Sequence, residues 1–128
     1  MRTRPVGDWS VAAGTARVRV CALADLEVER GSAALVHGDQ VALFLLHDGG
    51  VHAVDHLDPF SGAYVIARGI VGTRGDTPTV ASPMYKQVFD LRTGACLDPV
   101  GSEPADLRTW PVHVLDGAVW VEAPWRRT

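Results

Sequence analysis

Apolar and polar residues alternate along this chain in short bursts, and no stretch sustains the period of about 3.6 residues that marks an amphipathic helix. Residues 16–22, A-R-V-R-V-C-A, alternate and predict a half-buried strand. A-A-L-V-H (33–37) and V-A-L-F-L-L-H (41–47) flank G-D-Q and predict a hairpin. H-D-G-G (47–50) then turns the chain into V-H-A-V-D (51–55). T-V-A-S (79–82) and K-Q-V-F-D-L (86–91) predict two more strands, the second ending at the R-T-G turn. W-P-V-H-V-L (110–115), the D-G turn and A-V-W-V-E (118–122) close the pattern as a final hairpin. Residues 23–29 have room for one helical turn. The expectation is an all-β sandwich or small barrel of short antiparallel strands.

One segment departs from the rhythm. Residues 63–78, A-Y-V-I-A-R-G-I-V-G-T-R-G-D-T-P, are glycine-dotted and are expected to form a long irregular loop, the kind of segment that carries function. The ordered domain is expected over 16–122, with a flexible segment at 1–15 and a tail at 123–128. Trp110 and Trp120 fit strand faces, whereas Trp9 and Trp125 lie outside the strands.

Composition narrows the function classes. The chain has 128 residues, 47% apolar and 21% charged, enough for one domain with a real core. A net charge of −3 with scattered basic residues gives no electrostatic reason to expect nucleic acid. The longest apolar run, 41–46, is far too short to span a membrane. The start, M-R-T-R-P-V-G-D-W, has no apolar core of a signal peptide, so the cytoplasm is the expected location. Cys21 and Cys96 have no paired spacing, which points to reduced structural thiols and not to a thiolate metal site.

Several motifs invite chemistry that their surroundings do not support. G-I-V-G-T-R-G lacks the following helix that a phosphate loop needs. R-G-D (74–76) is expected at a loop tip. D-H-L-D brings His56 and Asp58 to one face, with His52 nearby, but Asp before Pro is first a turn signal. Ser82 has neither a nucleophile elbow nor oxyanion glycines beside it.

Two stretches carry a resemblance. D-P-F-S-G (58–62) and S-P-M-Y-K-Q-V-F-D-L-R-T-G (82–94) are similar to the two cluster-binding loops of Rieske [2Fe–2S] domains, C-P-H-x-G and C-P-x-H-G-x-x-F-D-L-x-T-G. The frame coincides, yet all four ligand positions are replaced. Asp58 and Phe60 stand for the first cysteine and histidine, Ser82 and Tyr85 for the second pair. Hydroxyls are poor ligands, phenylalanine offers none, and one carboxylate cannot hold two irons, so no iron–sulfur cluster is expected.

The wording is more particular still. R-G-I-V-G (68–72) together with S-P-M-Y-K-Q (82–87) resembles the small subunit of assimilatory NAD(P)H-dependent nitrite reductase, over residues 18–122. That resemblance implies a cluster-less Rieske-like domain without a catalytic site, assembling with or regulating a large subunit. The large subunit would carry FAD, a [4Fe–4S] cluster and sirohaem and reduce nitrite to ammonium. It implies also that the two loops form an exposed tip. The tip would present Asp58, Phe60, Met84 and Tyr85 to the large subunit, with Arg68 and Lys86 beside them. The alternative is that Phe60 and Tyr85 fold inward and fill the space left by the cluster. A free-standing β-sandwich module with an unrelated partner is the competing function.

Overall fold

The computed structural model describes residues 15–124. The loose ends expected over most of 1–15 and 123–128, with Trp9, Trp125 and the terminal arginines, fall outside those residues. Among the described residues eleven short strands make three antiparallel sheets, and no helix is long and apolar enough to cross a membrane. The first sheet runs β1 (Thr15–Ala22), β11 (Ala118–Pro124), β10 (Val112–Leu115). The second runs β2 (Ser32–Val36), β3 (Asp39–Leu45), β4 (Val51–Asp55), β9 (Thr109–Trp110). The third runs β5 (Ile70–Arg74), β6 (Thr77–Ala81), β7 (Val88–Asp90), β8 (Cys96–Asp98). The all-β expectation holds, and the sheet takes in Thr15 at one end and Ala123 and Pro124 at the other, just beyond 16–122.

The unbroken apolar run in β3 has a physical cause. Ala42 and Phe44 project into one core with Val54, Ile66, Val80, Phe89, Leu91 and Leu107. Val41 and Leu43 project into a second core with Val36, Trp110, Val119 and Val121. A strand buried on both faces has no polar side to alternate with. β1 and β2 do alternate, because one face of each meets water.

The turns follow their residue types. Asp116 (φ 52°) and Gly117 (φ 76°) make the last hairpin turn, a pair of positive φ values that D-G accepts readily. The β2–β3 turn falls on His37 and Gly38, with Asp39 already in β3, one position earlier than G-D-Q suggests. The helical turn expected within 23–29 is a 3₁₀ turn at Leu23–Asp25.

Residues 63–78 are not a long loop. They hold a 3₁₀ turn at Ile66–Arg68, then β5, a two-residue turn at Gly75 and Asp76, and the start of β6. The pattern hides β5 because it is mostly exposed and carries Gly72, so it has little apolar signature. R-G-D does sit at that turn. The strand expected at 86–91 contracts to Val88–Asp90, since Lys86 (φ 66°) takes a left-handed conformation that no strand admits.

Candidate functional site

The two motif loops are built the same way. In the first, the Asp58 N–H donates to the Ala63 carbonyl (2.8 Å) and the Gly62 N–H to the Asp58 carbonyl (2.8 Å). In the second, the Ser82 N–H donates to the Gln87 carbonyl (2.9 Å) and the Lys86 N–H to the Ser82 carbonyl (3.0 Å). The first residue of each loop also caps the amide two positions on. Asp58 Oδ1 accepts from the Phe60 N–H at 2.8 Å, and Ser82 Oγ from the Met84 N–H at 3.2 Å. The fifth residue of each has positive φ: Gly62 at 76° and Lys86 at 66°.

A third copy of this turn follows at Asp90. Its N–H meets the Ala95 carbonyl, Gly94 (φ 79°) closes back on the Asp90 carbonyl, and Asp90 Oδ1 caps the Arg92 amide at 2.7 Å. Burial works against the Asp90 charge, but the hydrogen bonds from Arg92 more than offset it and hold the carboxyl below its ordinary range.

Two of these turns carry glycine at the left-handed position and one carries lysine. Lys86→Gly is expected to raise unfolding stability by about 0.5 kcal/mol, relief of roughly 1 kcal/mol of backbone strain being partly cancelled by a freer unfolded chain. Urea denaturation of the two proteins checks it.

The loops meet at one buried contact. Ser82 Oγ donates to Asp58 Oδ2 at 2.7 Å, and Asp58 and Ser82 are 0% and 1% exposed. The residues at the two cysteine positions therefore bond to each other across 24 residues of sequence. Phe60 is half-buried against the first core, its ring centroid 6.0 Å from that of Phe89. Tyr85 (57% exposed) and Met84 (45%) face solvent, as do Arg68 and Lys86. Asp58 is thus not available as a tip contact, a correction to the expected set: its carboxylate is consumed by the Ser82 hydroxyl and the Phe60 amide. Phe60 packs inward and Tyr85 does not.

His56 is a site residue whose role the strand pattern did not disclose. Its ring is buried, and its Nδ1 accepts from the Ala67 N–H at 3.1 Å, tying the approach to the first loop to the 3₁₀ turn before R-G-I-V-G. The His56 carbonyl accepts from both Val65 and Ile66 N–H. Exposed Tyr64 lies beside it, ring centroids 6.3 Å apart. Burial, then Arg68, lowers the His56 pKa from 6.5, and His52 is lowered chiefly by burial as well. A His whose folded pKa is depressed leaves the unfolded chain binding more protons below 6.5. Stability is expected to fall as pH drops through 6.5 and to level off below the folded-state value. His56→Asn keeps an acceptor near the Nδ1 position without titrating, so it should flatten part of that slope between pH 7.5 and 5.5 in denaturant titrations.

Residues 17–122 match the model of the Rieske-like [2Fe–2S] domain. The chain belongs to that family. This Rieske-like domain is 35% identical over 101 residues to the nitrite reductase (NADH) small subunit of Salmonella typhimurium, covering 78% of this chain and 91% of that one. It is a member of the nitrite reductase small-subunit group. It is also 43% identical over 102 residues, 80% of its length, to a nitrite reductase [NAD(P)H] large subunit of Klebsiella oxytoca, of which it spans only 10%. The fold superposes on a crystal structure of an NADH-dependent nitrite reductase small subunit from Mycobacterium tuberculosis with a TM-score of 0.78 and 44% identity, covering 85% of this chain and 96% of that one.

The family's [2Fe–2S] cluster does not fit the residues present. Iron–sulfur clusters and Rieske centres are held by thiolates and imidazoles. Here the facing oxygens of Asp58 and Ser82 are hydrogen-bonded to each other, Phe60 has no donor atom, and Tyr85 points to solvent.

Proposed function

We propose that this chain is the non-catalytic small subunit of an NAD(P)H-dependent nitrite reductase, assembling with or regulating a large subunit that carries the redox cofactors. The observation that carries this reading is the double match. The same domain is similar to separate small subunits over nearly their whole length and to one tenth of a Klebsiella large subunit. A domain found both as a separate chain and within a larger one supports an association between the two. FAD, a [4Fe–4S] cluster and sirohaem would belong to the large subunit and supply the electron transfer from NAD(P)H to nitrite. Among the described residues, the donor set of the two loops offers neither the thiolates nor the imidazoles that hold such a cluster.

The proposed contact surface is the tip, with Asp58 removed from it. Met84 and Tyr85 are side-chain types enriched at the centres of interfaces, and half-buried Phe60 supports the loop beneath them. Lys86 and Arg68 supply a polar, cationic rim. A net charge of −3 gives no reason to look for nucleic acid, and the proposed location is the cytoplasm.

The test is co-purification of tagged chain with the large subunit of its own organism, identified by mass and by flavin and sirohaem absorption, with nitrite turnover assayed on the complex. The expected result is a stoichiometric complex, with Tyr85→Ala weakening it roughly tenfold. A large subunit that turns over fully and never binds this chain overturns the reading.

A further inference from the structure

The R-G-I-V-G segment lies outside the two loops, and its surroundings are unlike the rest of the surface. β5 is an edge strand, paired only with β6. The direction of its free backbone groups follows from the neighbouring ladder. The Pro78 carbonyl accepts from Leu91 and the Ser82 N–H donates to Gln87, so residues 78, 80 and 82 turn toward β7. Thr77, Thr79 and Ala81 therefore turn toward β5, where they face Arg74, Gly72 and Ile70. Val71 and Thr73 are left pointing their N–H and C=O groups at the open edge.

An open edge is a template for another strand, and most edges here are blunted. β1 has a register shift between Arg19 and Cys21, β9 is two residues long, and β8 is three residues long beside another shift. β10 begins next to Pro111, and β2 packs against the 3₁₀ turn at Ile66–Arg68. β5 pairs in unbroken register at all five positions and carries neither bulge nor proline. Its first residue, Ile70, is 75% exposed, the most exposed large apolar side chain among the described residues.

A groove of about 500 Å³ leads into that edge, lined by Glu29, Arg30 and Gly31 on one side and by 68–71 on the other. Its floor is backbone because two glycines allow close approach. A Cβ on Gly31 would sit 2.1 Å from the Ala67 carbonyl oxygen, and one on Gly69 would sit 2.5 Å from that of Ala81. Arg30 and Arg68 are exposed at its rim, Arg30 sharing only a solvent-open ion pair with Glu27, and Arg74 stands at the far end of β5. The lining acid, Glu29, lies 3.5 Å from the His47 ring.

We infer that β5 is a strand-addition site, which takes an extended, acid-bearing segment of the large subunit through the groove and along the edge. The inference rests on the subunit reading above and specifies how the partner is held. Val71 and Thr73 supply the main-chain bonds, Ile70 an apolar anchor, and Arg30 and Arg68 the charge recognition. A second copy of this chain is disfavoured as occupant, because self-pairing would bring two sets of the same arginines together. The site continues into the proposed tip, since Ile70 pairs with Ala81, the residue before Ser82.

Thr73→Pro removes an outward N–H while sparing the ladder to β6, and Arg30→Glu reverses a rim charge on a side chain that packs in no core. Each is expected to weaken binding of the purified large subunit about tenfold, with unchanged circular dichroism for Arg30→Glu. In the wild-type complex, hydrogen exchange at the Val71 and Thr73 amides is expected to slow. If the wild type binds while both variants bind equally well and those amides exchange as before, strand addition is overturned and the subunit reading stands. If the chain alone is a dimer with both amides already protected, the occupant is a second copy and the inference is overturned. If the wild type binds no large subunit at all, the subunit reading fails and takes the inference with it.

Discussion

Ser82→Ala is expected to lower unfolding stability by about 2–3 kcal/mol, a drop in Tm on the order of 10 °C for a domain of this size. The hydroxyl does two jobs at once, donating to Asp58 Oδ2 and accepting from the Met84 amide. Removing it leaves a fully buried carboxylate oxygen without its donor, and the desolvation cost of that oxygen, more than the lost bond, sets the size of the effect. Asp58→Asn should cost far less, because the amide can still accept from Phe60 and can donate to the Ser82 oxygen. A double-mutant cycle between Ser82→Ala and Asp58→Ala is expected to return a coupling of about 1.5–3 kcal/mol. A coupling near zero would mean that this bond does not hold the two loops together and that packing such as that of Phe60 on Phe89 sets their positions.

The cycle also bears on how a Rieske-like scaffold with these residues joins its two loops. In a cluster-bearing domain the metal joins the two loops. Here the oxygen atoms at the two cysteine positions make the join, and Phe60 packs inward beneath the first loop. The turns themselves need no metal, since each is closed by two backbone hydrogen bonds and a side-chain cap, and the Asp90 copy, away from the ligand positions, closes in the same way. Around that join Met84, Tyr85, Lys86 and Arg68 are exposed.

Much of this was legible in the chain and some was not, for identifiable reasons. The strand that alternates, 16–22, and those bounded by turn residues, 41–47 and 51–55, were legible because burial on one face or two leaves a pattern. β5 was hidden because an exposed edge strand with Gly72 has no such pattern. The four replaced ligand positions were visible as residue types. Which way those side chains face was not visible. An aspartate before proline reads as an exposed turn residue, and only the arrival of Ser82 from the next loop allows Asp58 to be buried. Phe60 and Tyr85, both aromatic, differ in direction because Phe60 has Phe89 to pack on, whereas Tyr85 precedes the left-handed Lys86 on the open side of its loop.

Gly94→Ala is expected to be the most damaging single change in these turns, at about 3–4 kcal/mol, enough to leave much of a marginally stable chain unfolded at 37 °C. Two costs add. A left-handed residue with a Cβ loses roughly 1 kcal/mol or more. The added methyl would also sit 2.0 Å from the Leu107 carbonyl oxygen, which is backbone and already accepts no slack: the Leu107 amide donates to the Gly94 carbonyl at 2.8 Å. The β7–β8 turn would have to move away from the segment that leads through Arg108 into Trp110. Gly62→Ala isolates the first cost, because nothing lies within 4 Å of its added Cβ, and it should lose only about 1 kcal/mol. Urea titrations of the two variants separate strain from collision. Equal losses at both positions would show that the left-handed backbone alone governs these turns and that Leu107 yields freely; a gap of about 2–3 kcal/mol would show that the contact between the third turn and residue 107 is rigid.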